Sequence, residues 1–223
     1  MDLYDVMRTT AAVREFTDDP LPDDVLYRIL EQARFAPSGG NRQGTHVVVV
    51  RDPDTRAALA RLNEPAVRRY IAQVRAGESP WNSVNPPGPT ATEIAATEVP
   101  EQFTRPVLTA GAVLVFFVDL AVVASMDQDL DRVGVISGAS VYPLVWNTLL
   151  AARNEGFGGT ITTMAAAEEP AVQELLGVPP TFALAAVVPL GRPVKQLTRL
   201  RRNPVEDFVW RERYGGEPLT AGT

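Results

Sequence analysis

The residue types that usually carry chemistry are scarce in this chain. It has no cysteine and a single histidine, His46, which excludes thiolate catalysis, zinc–thiolate sites and histidine-cluster metal sites. It has no Gly-x-Ser-x-Gly turn and no phosphate-loop lysine motif, so the common hydrolase constellations are missing too. Four stretches remain. Val13-Arg14-Glu15-Phe16 sets one guanidinium in an extended run. Ala36-Pro37-Ser38-Gly39-Gly40-Asn41-Arg42-Gln43 is a loop whose glycines permit close backbone approach. Gly156 to Thr163 runs from glycines into Thr160-Ile161-Thr162-Thr163. Leu200-Arg201-Arg202-Asn203-Pro204 carries two adjacent guanidiniums, a group that can pair two phosphate oxygens at once. A chain this poor in nucleophiles and bases is expected to borrow its chemistry from a cofactor. No Gly-x-Gly-x-x-Gly turn follows a strand, which sets aside a Rossmann site.

Those stretches need a scaffold, and the pattern of the chain predicts one. The stretch from Asp131 to Thr163 is its centre. From Val133 to Ala152 it has no Asp, Glu, Lys, Arg or His, so it reads as a helix without a wet face, placed in a core or a subunit interface. Pro143 is expected to bend it. The glycines at 156, 158 and 159 end it, and the threonine run follows as a short strand or strand end. Before it come a short helix at residues 2–10, an extended exit at 11–19 and an amphipathic helix from Asp23 carrying Val25, Leu26, Ile29, Leu30 and Ala33. His46 to Val50 reads as a buried central strand with His46 as a core residue. Helices follow from Asp52 and over 64–76. Further strands are predicted at Val113–Val118 and Phe182–Leu190, with a helix from Glu168 to Leu176 between them. The order gives an α+β protein, an α/β sandwich with helices around one sheet.

Bulk properties agree with one domain over residues 1–223. Within it, 77–106 is rich in proline and reads as a lid excursion, and about 197–223 as a C-terminal arm. The net charge of −6 argues against a nucleic-acid partner. Asp127, Asp129 and Asp131 suit the positive end of the following helix. The glycine and distal glutamate of a calcium loop are missing, so no metal is expected. The acidic start Met1-Asp2-Leu3-Tyr4-Asp5 has no secretory h-region, and 133–152 carries glycines, serines, Pro143 and Asn147, unsuited to lipid. The expected location is cytoplasmic, with no membrane partner.

Taken in order, the four stretches resemble the FMN-dependent nitroreductase family over nearly the whole chain. The Pro-Ser-x-x-Asn-x-Gln loop and the Leu190-Gly191-Arg192-Pro193 run before the basic Arg201-Arg202-Asn203-Pro204 carry the likeness. The threonine edge, with Glu174-Leu175-Leu176-Gly177 after it, is similar to the iodotyrosine-deiodinase branch. The resemblance implies a nitroreductase-like fold with a central mixed sheet, an intertwined homodimer, bound FMN and NAD(P)H as electron donor. By residue, it implies Arg14 beside the flavin N1/C2 carbonyl and Thr163, with Ile161 and Thr162, at flavin N5. Pro37, Ser38, Gly39 and Asn41 would approach the ring or ribityl chain. Arg201 and Arg202 would clamp the phosphate, helped by Arg8 and Thr10. Gly40, Trp81 and Phe103 would meet a small aromatic substrate. One departure stands out: the family's Arg-Arg-Ser falls on Thr10-Ala11-Ala12, which bears on how the phosphate is held. Position 66, ahead of Tyr70, is alanine, which argues against an iodotyrosine substrate. Two readings stay open: an oxidoreductase acting on nitroaromatics, quinones or, as a reductive dehalogenase, halogenated aromatics, and a non-catalytic flavin or ligand binder.

Overall fold

A computed structural model describes residues 1–221. Its spine is β2 (Ala112–Asp119), whose residues from Ala112 to Val118 are all buried. Side chains alternate across a strand, so this one element serves two cores. Leu114, Phe116 and Val118 point to one face, where helices α2 (Asp23–Ala33) and α6 (Tyr142–Asn154) supply Leu26, Ile29, Val145 and Leu149. Val113, Val115 and Phe117 point to the other, against Leu59 of α3 (Pro53–Arg75), Val107 of α5 (Arg105–Thr109) and Val172 of α7 (Glu169–Leu176). Helices therefore cover both faces of one sheet, the α+β sandwich read from the sequence.

The sheet order is β1-β2-β4-β3, with β1 at Thr45–Val50, β3 at Gly158–Gly159 and β4 at Phe182–Gly191. Every strand pair is antiparallel. The mixed character expected of the sheet reduces to one parallel bridge, Ala12 to Gly159. β1 is an edge strand, not the buried central strand its apolar run suggested, and Val49 is 42% exposed. His46 is correspondingly exposed, edge-on to Phe182 at 5.1 Å between ring centres. An uninterrupted valine run marks a central strand only where both edges are paired, and among the described strands β1 pairs with β2 alone.

The apolar stretch before Asn154 also differs from expectation. Helix α6 begins at Tyr142, and Pro143 occupies its first turn, where a missing N–H costs nothing. Pro143 starts the helix; it does not bend one. Ahead of it lies a 3-10 turn, Ile136–Ser140, with Val133 60% and Val135 64% exposed. Asp127 organises this segment from a nearly closed site. Its carboxylate accepts from the backbone N–H of Val135 and from Arg132 Nη1, both at 2.7 Å.

The 77–106 excursion holds the short α4 (Ala91–Ala95), started by a capping box between Thr90 and Glu93. It is fastened to α3, where Arg68 donates to the Thr97 carbonyl. Helix α1 (Leu3–Thr9) starts on Asp2, whose carboxylate accepts from Tyr4 N–H. The arm after residue 197 folds on itself, with Trp210 bridging Pro218 and its ring 4.6 Å from Tyr214. The last two positions of the arm expected at 197–223 lie outside the described residues. No helix among the described residues is long and apolar enough to cross a membrane.

Candidate active site

Two glycines decide where the N-terminal guanidinium goes. Val13 N–H donates to the Gly159 carbonyl at 2.9 Å, and a Cβ at Gly158 would sit 2.7 Å from Val13 Cγ2. Only a residue without a side chain lets the 12–17 segment lie this close. Thr17 N–H to the Arg192 carbonyl and Val194 N–H to the Glu15 carbonyl, at 2.9 and 3.1 Å, fix the other side. Arg14 is held between these anchors while its own side chain remains exposed.

Just past Gly159 the chain enters Thr160 to Thr163. Thr162 pairs with Val187 through both backbone hydrogen bonds, which lays the run along the edge of β4. Of the short strand or strand end expected at the threonine run, the structure has the latter: a two-residue strand at the glycines, then one bridge at Thr162. A 3-10 turn, Met164–Glu168, leads into α7. Arg14 and Thr160 to Met164 line one cavity of about 220 Å³, closed on the far side by Tyr70, Phe103 and Pro106. A second cavity of about 460 Å³ continues from Thr163 and Met164 along Ala66, Tyr70 and Trp81. A third, of about 500 Å³, opens past Arg14, Glu15, Glu101 and Arg105. Tyr70 lines all three, so they form one cleft around its ring, which stands 5.8 Å from that of Phe103.

The cleft has donors with nothing to donate to. Among the described residues, neither the Arg14 guanidinium nor the Thr163 N–H and hydroxyl makes a hydrogen bond or ion pair. A cation and an unpaired backbone N–H lining one aromatic-walled space can stabilise negative charge on a flat ring. The donor set fits the polar edge of a flavin.

Other predicted site residues lie elsewhere. Pro37, Ser38, Gly39, Gly40 and Asn41 line none of these cavities. Their loop is stitched to the apolar 3-10 turn: Gly39 N–H donates to Ser140 Oγ and Gln43 N–H to Ser38 Oγ, each at 3.0 Å. Gly40 and Asn41 have φ of 60° and 53°, conformations that suit glycine and asparagine. Arg201 and Arg202 are exposed and outside the cleft, with Arg202 Nη1 donating to the Arg201 carbonyl. Arg8 lies over the Tyr4 ring at 5.8 Å. Thr10 is buried and its hydroxyl donates to the Val6 carbonyl as a helix end, so it is not offered to a phosphate. The chain alone does not bring the two halves of the expected site together.

Two residues escaped the sequence reading of the site. Tyr70 sits at helical spacing from Ala66 on α3, a stripe that reads as ordinary packing. Arg153, in the last turn of α6, donates through Nε to Thr9 Oγ1 at 3.0 Å and brings a guanidinium to the end of α1. No motif marks it. Among the described residues no group of three or more acidic or histidine side chains could hold a metal.

Residues 7–192 match the model of the nitroreductase family, and the chain belongs to that family. It is 30% identical over 209 residues to a protein named NADH dehydrogenase from Thermus thermophilus, covering 90% of this chain and 91% of that one. Its fold matches the crystal structure of oxidised iodotyrosine deiodinase bound to FMN and 3-iodo-L-tyrosine, with TM-score 0.66 and 22% identity over 95% of this chain and 99% of the other. It also matches the NADPH:FMN oxidoreductase of Vibrio harveyi complexed with NAD+, with TM-score 0.67 and 21% identity over 98% and 79% of the two chains.

Proposed function

We propose that this protein is an FMN-dependent oxidoreductase that draws electrons from NAD(P)H and passes them to a flat electrophilic acceptor, a nitroaromatic or a quinone. The observation that carries the reading is the meeting of Arg14 and Thr163 in one cleft with their donors free. The printed names of related proteins, an NADH dehydrogenase and an NADPH:FMN oxidoreductase, support the same class of donor and cofactor. When bound, FMN supplies the electron transfer. Arg14 offers a positive charge where negative charge builds on reduction, and Thr163 offers a hydrogen-bond donor beside it. Tyr70 and Phe103 exclude water and give an aromatic acceptor a wall to stack on.

A second copy completes the site in this reading. Val133, Val135, Ile136, Tyr142 and Trp146 are all more than a third exposed, and β1 leaves a strand edge open beside them. Such an apolar surface calls for a partner. The Ser38 loop is hydrogen-bonded into that surface at Ser140, so a homodimer across it carries the loop toward the neighbour's cleft. Phe208 and Val205 of the arm, 59% and 47% exposed, are suited to wrap the partner. Arg8, Arg153, Arg201 and Arg202 are the basic groups available for the phosphate.

The alternative, a binder without turnover, draws on Thr10-Ala11-Ala12, where no guanidinium stands. One preparation separates them. Pure protein should be yellow, bleach under NADPH and regain colour when a nitroaromatic is added. Protein that holds flavin through both additions without change is a binder. Colourless protein that ignores added FMN overturns the flavin reading altogether.

A further inference from the structure

Trp81 is held in a backbone conformation that tryptophan rarely adopts. Its φ is 56°, in the left-handed region, where a large side chain is under strain unless its surroundings impose it. The cause is a buried amide one helix away. Gln73, on α3 and 1% exposed, accepts from the Trp81 backbone N–H through Oε1 at 3.1 Å. Its Nε2 donates to Glu78 Oε2 at 2.9 Å, and Glu78 Oε1 accepts from Gly88 N–H at 2.7 Å. These partners fix which end of the Gln73 amide is which. Three points along the excursion, Glu78, Trp81 and Gly88, are therefore tied through the Gln73 and Glu78 side chains.

The ring is fixed as firmly as the backbone. The indole N–H donates to the Ala66 carbonyl at 3.2 Å, and the Arg69 guanidinium lies 4.0 Å from the ring centre. Arg69 Nε is buried with no hydrogen-bond partner, so the indole face is its neighbour in place of an acceptor. Held this way, Trp81 forms a wall of the 460 Å³ cavity opposite Thr163 and Met164.

We infer that Gln73 is a positioning residue: its buried amide locks Trp81 as a rigid aromatic wall and thereby sets which acceptors can stack above Thr163. The lock is a property of the chain itself; its effect on acceptors rests on the proposed oxidoreductase function. Glu78 is the second half of the lock, since it ties Gln73 to Gly88.

The test uses Trp81 as the only tryptophan, with Trp146→Phe and Trp210→Phe. Gln73→Leu fills the same space without the amide. In folded protein of equal flavin content it should shift Trp81 emission to longer wavelength and increase quenching by acrylamide. The KM for a nitroaromatic should rise about tenfold, the scale of a buried donor left unpaired. Reduction of ferricyanide, which needs no aromatic wall, should keep its rate. The double variant Gln73→Glu with Glu78→Gln reverses the 73–78 hydrogen bond but keeps an acceptor for the Trp81 and Gly88 N–H groups, and should recover the emission and part of the KM. Unchanged emission and quenching in Gln73→Leu, or a double variant no better than the single one, overturns the lock. If Gln73→Leu fails to fold, Glu78→Leu carries the same expectations. Altered emission in a protein that reduces no acceptor, wild type included, leaves the lock standing and removes the oxidoreductase reading instead.

Discussion

Val13 donates its backbone N–H to the carbonyl of Gly159 at 2.9 Å, and this one bond places Arg14 at the mouth of the threonine edge. A Cβ at Gly159 would lie 2.5 Å from the Pro189 carbonyl and 3.2 Å from Leu149. Neither neighbour can turn aside cheaply, because one is backbone and the other is core.

Gly159→Ala should therefore cost about 1–3 kcal/mol, the usual penalty of overpacking, and should weaken flavin retention as well. Urea unfolding gives the first quantity and the absorbance of dialysed protein the second. Gly177→Ala is the control: its φ of 66° at the end of α7 is strained for alanine, but nothing lies within 4 Å. It should lose stability without releasing flavin.

Arg14→Gln keeps much of the length and polarity but removes the charge. If Arg14 stabilises negative charge on the reduced cofactor, the rate of reduction by NADPH should fall about 100-fold. Stopped-flow bleaching of the flavin band measures it. An unchanged rate would remove Arg14 from the chemistry.

The first turn before α6 should be sensitive to acid. The Val135 N–H, and then Arg132, hold the Asp127 carboxyl down from 3.8 to about 2. A group lowered in the folded state binds fewer protons there than in the unfolded chain. Its contribution is complete above about pH 4 and is lost as pH falls toward 2. Asp127→Asn has no such proton to gain, so the stability gap between wild type and variant should close across that window. Unfolding curves from about pH 5 downward show whether it does. A constant gap would mean that Asp127 acts by shape alone.

A buried arginine ties α3 to the start of β2. Arg56 donates to the Ala110 carbonyl at 2.6 Å and to the Gly111 carbonyl at 3.1 Å, and Arg51 reaches the same Gly111 carbonyl at 3.0 Å. Burial lowers the Arg56 pKa, yet it stays charged, and the carbonyls repay part of that cost. Arg56→Met should lose about 1–3 kcal/mol, as buried acceptors lose a donor. Chemical denaturation should show this with flavin binding intact, since Arg56 lines none of the three cavities.

How far the sequence reached depends on which residues are asked. Leu114, Phe116 and Val118 against Val113, Val115 and Phe117 were readable as a doubly covered strand, because alternation and burial leave the same mark. The same mark misled at Val47 to Val50, an edge strand with Val49 left exposed. Pro143 was visible, but a proline inside an apolar run reads alike whether it kinks a helix or begins one. Arg14 and Thr163 were legible as motifs. The resemblance also set both beside one flavin ring, but the packing that joins them was not legible, since it depends on Gly158 and Gly159 admitting a segment about 145 positions away in sequence. Ser38 and its neighbours were legible as a motif too, and the chain puts them at a different surface. If two copies share the site, as proposed, one sequence leaves no trace of which copy supplies which half.

That division can be read directly in mixed dimers. Let one copy carry Arg14→Ala and the other Gly39→Asp, which sets a charge and added bulk in the loop. If each cleft takes its loop from the neighbour, the mixed dimer has one cleft with both defects and one with neither. It should bind about half the flavin of wild type, while each variant alone binds little. If each cleft uses its own loop, both clefts of the mixed dimer are defective and no recovery appears. Tagging the two copies differently and purifying through both tags isolates the mixed species. Its absorbance ratio then tells whether the surface around Ser140 joins two halves of one site.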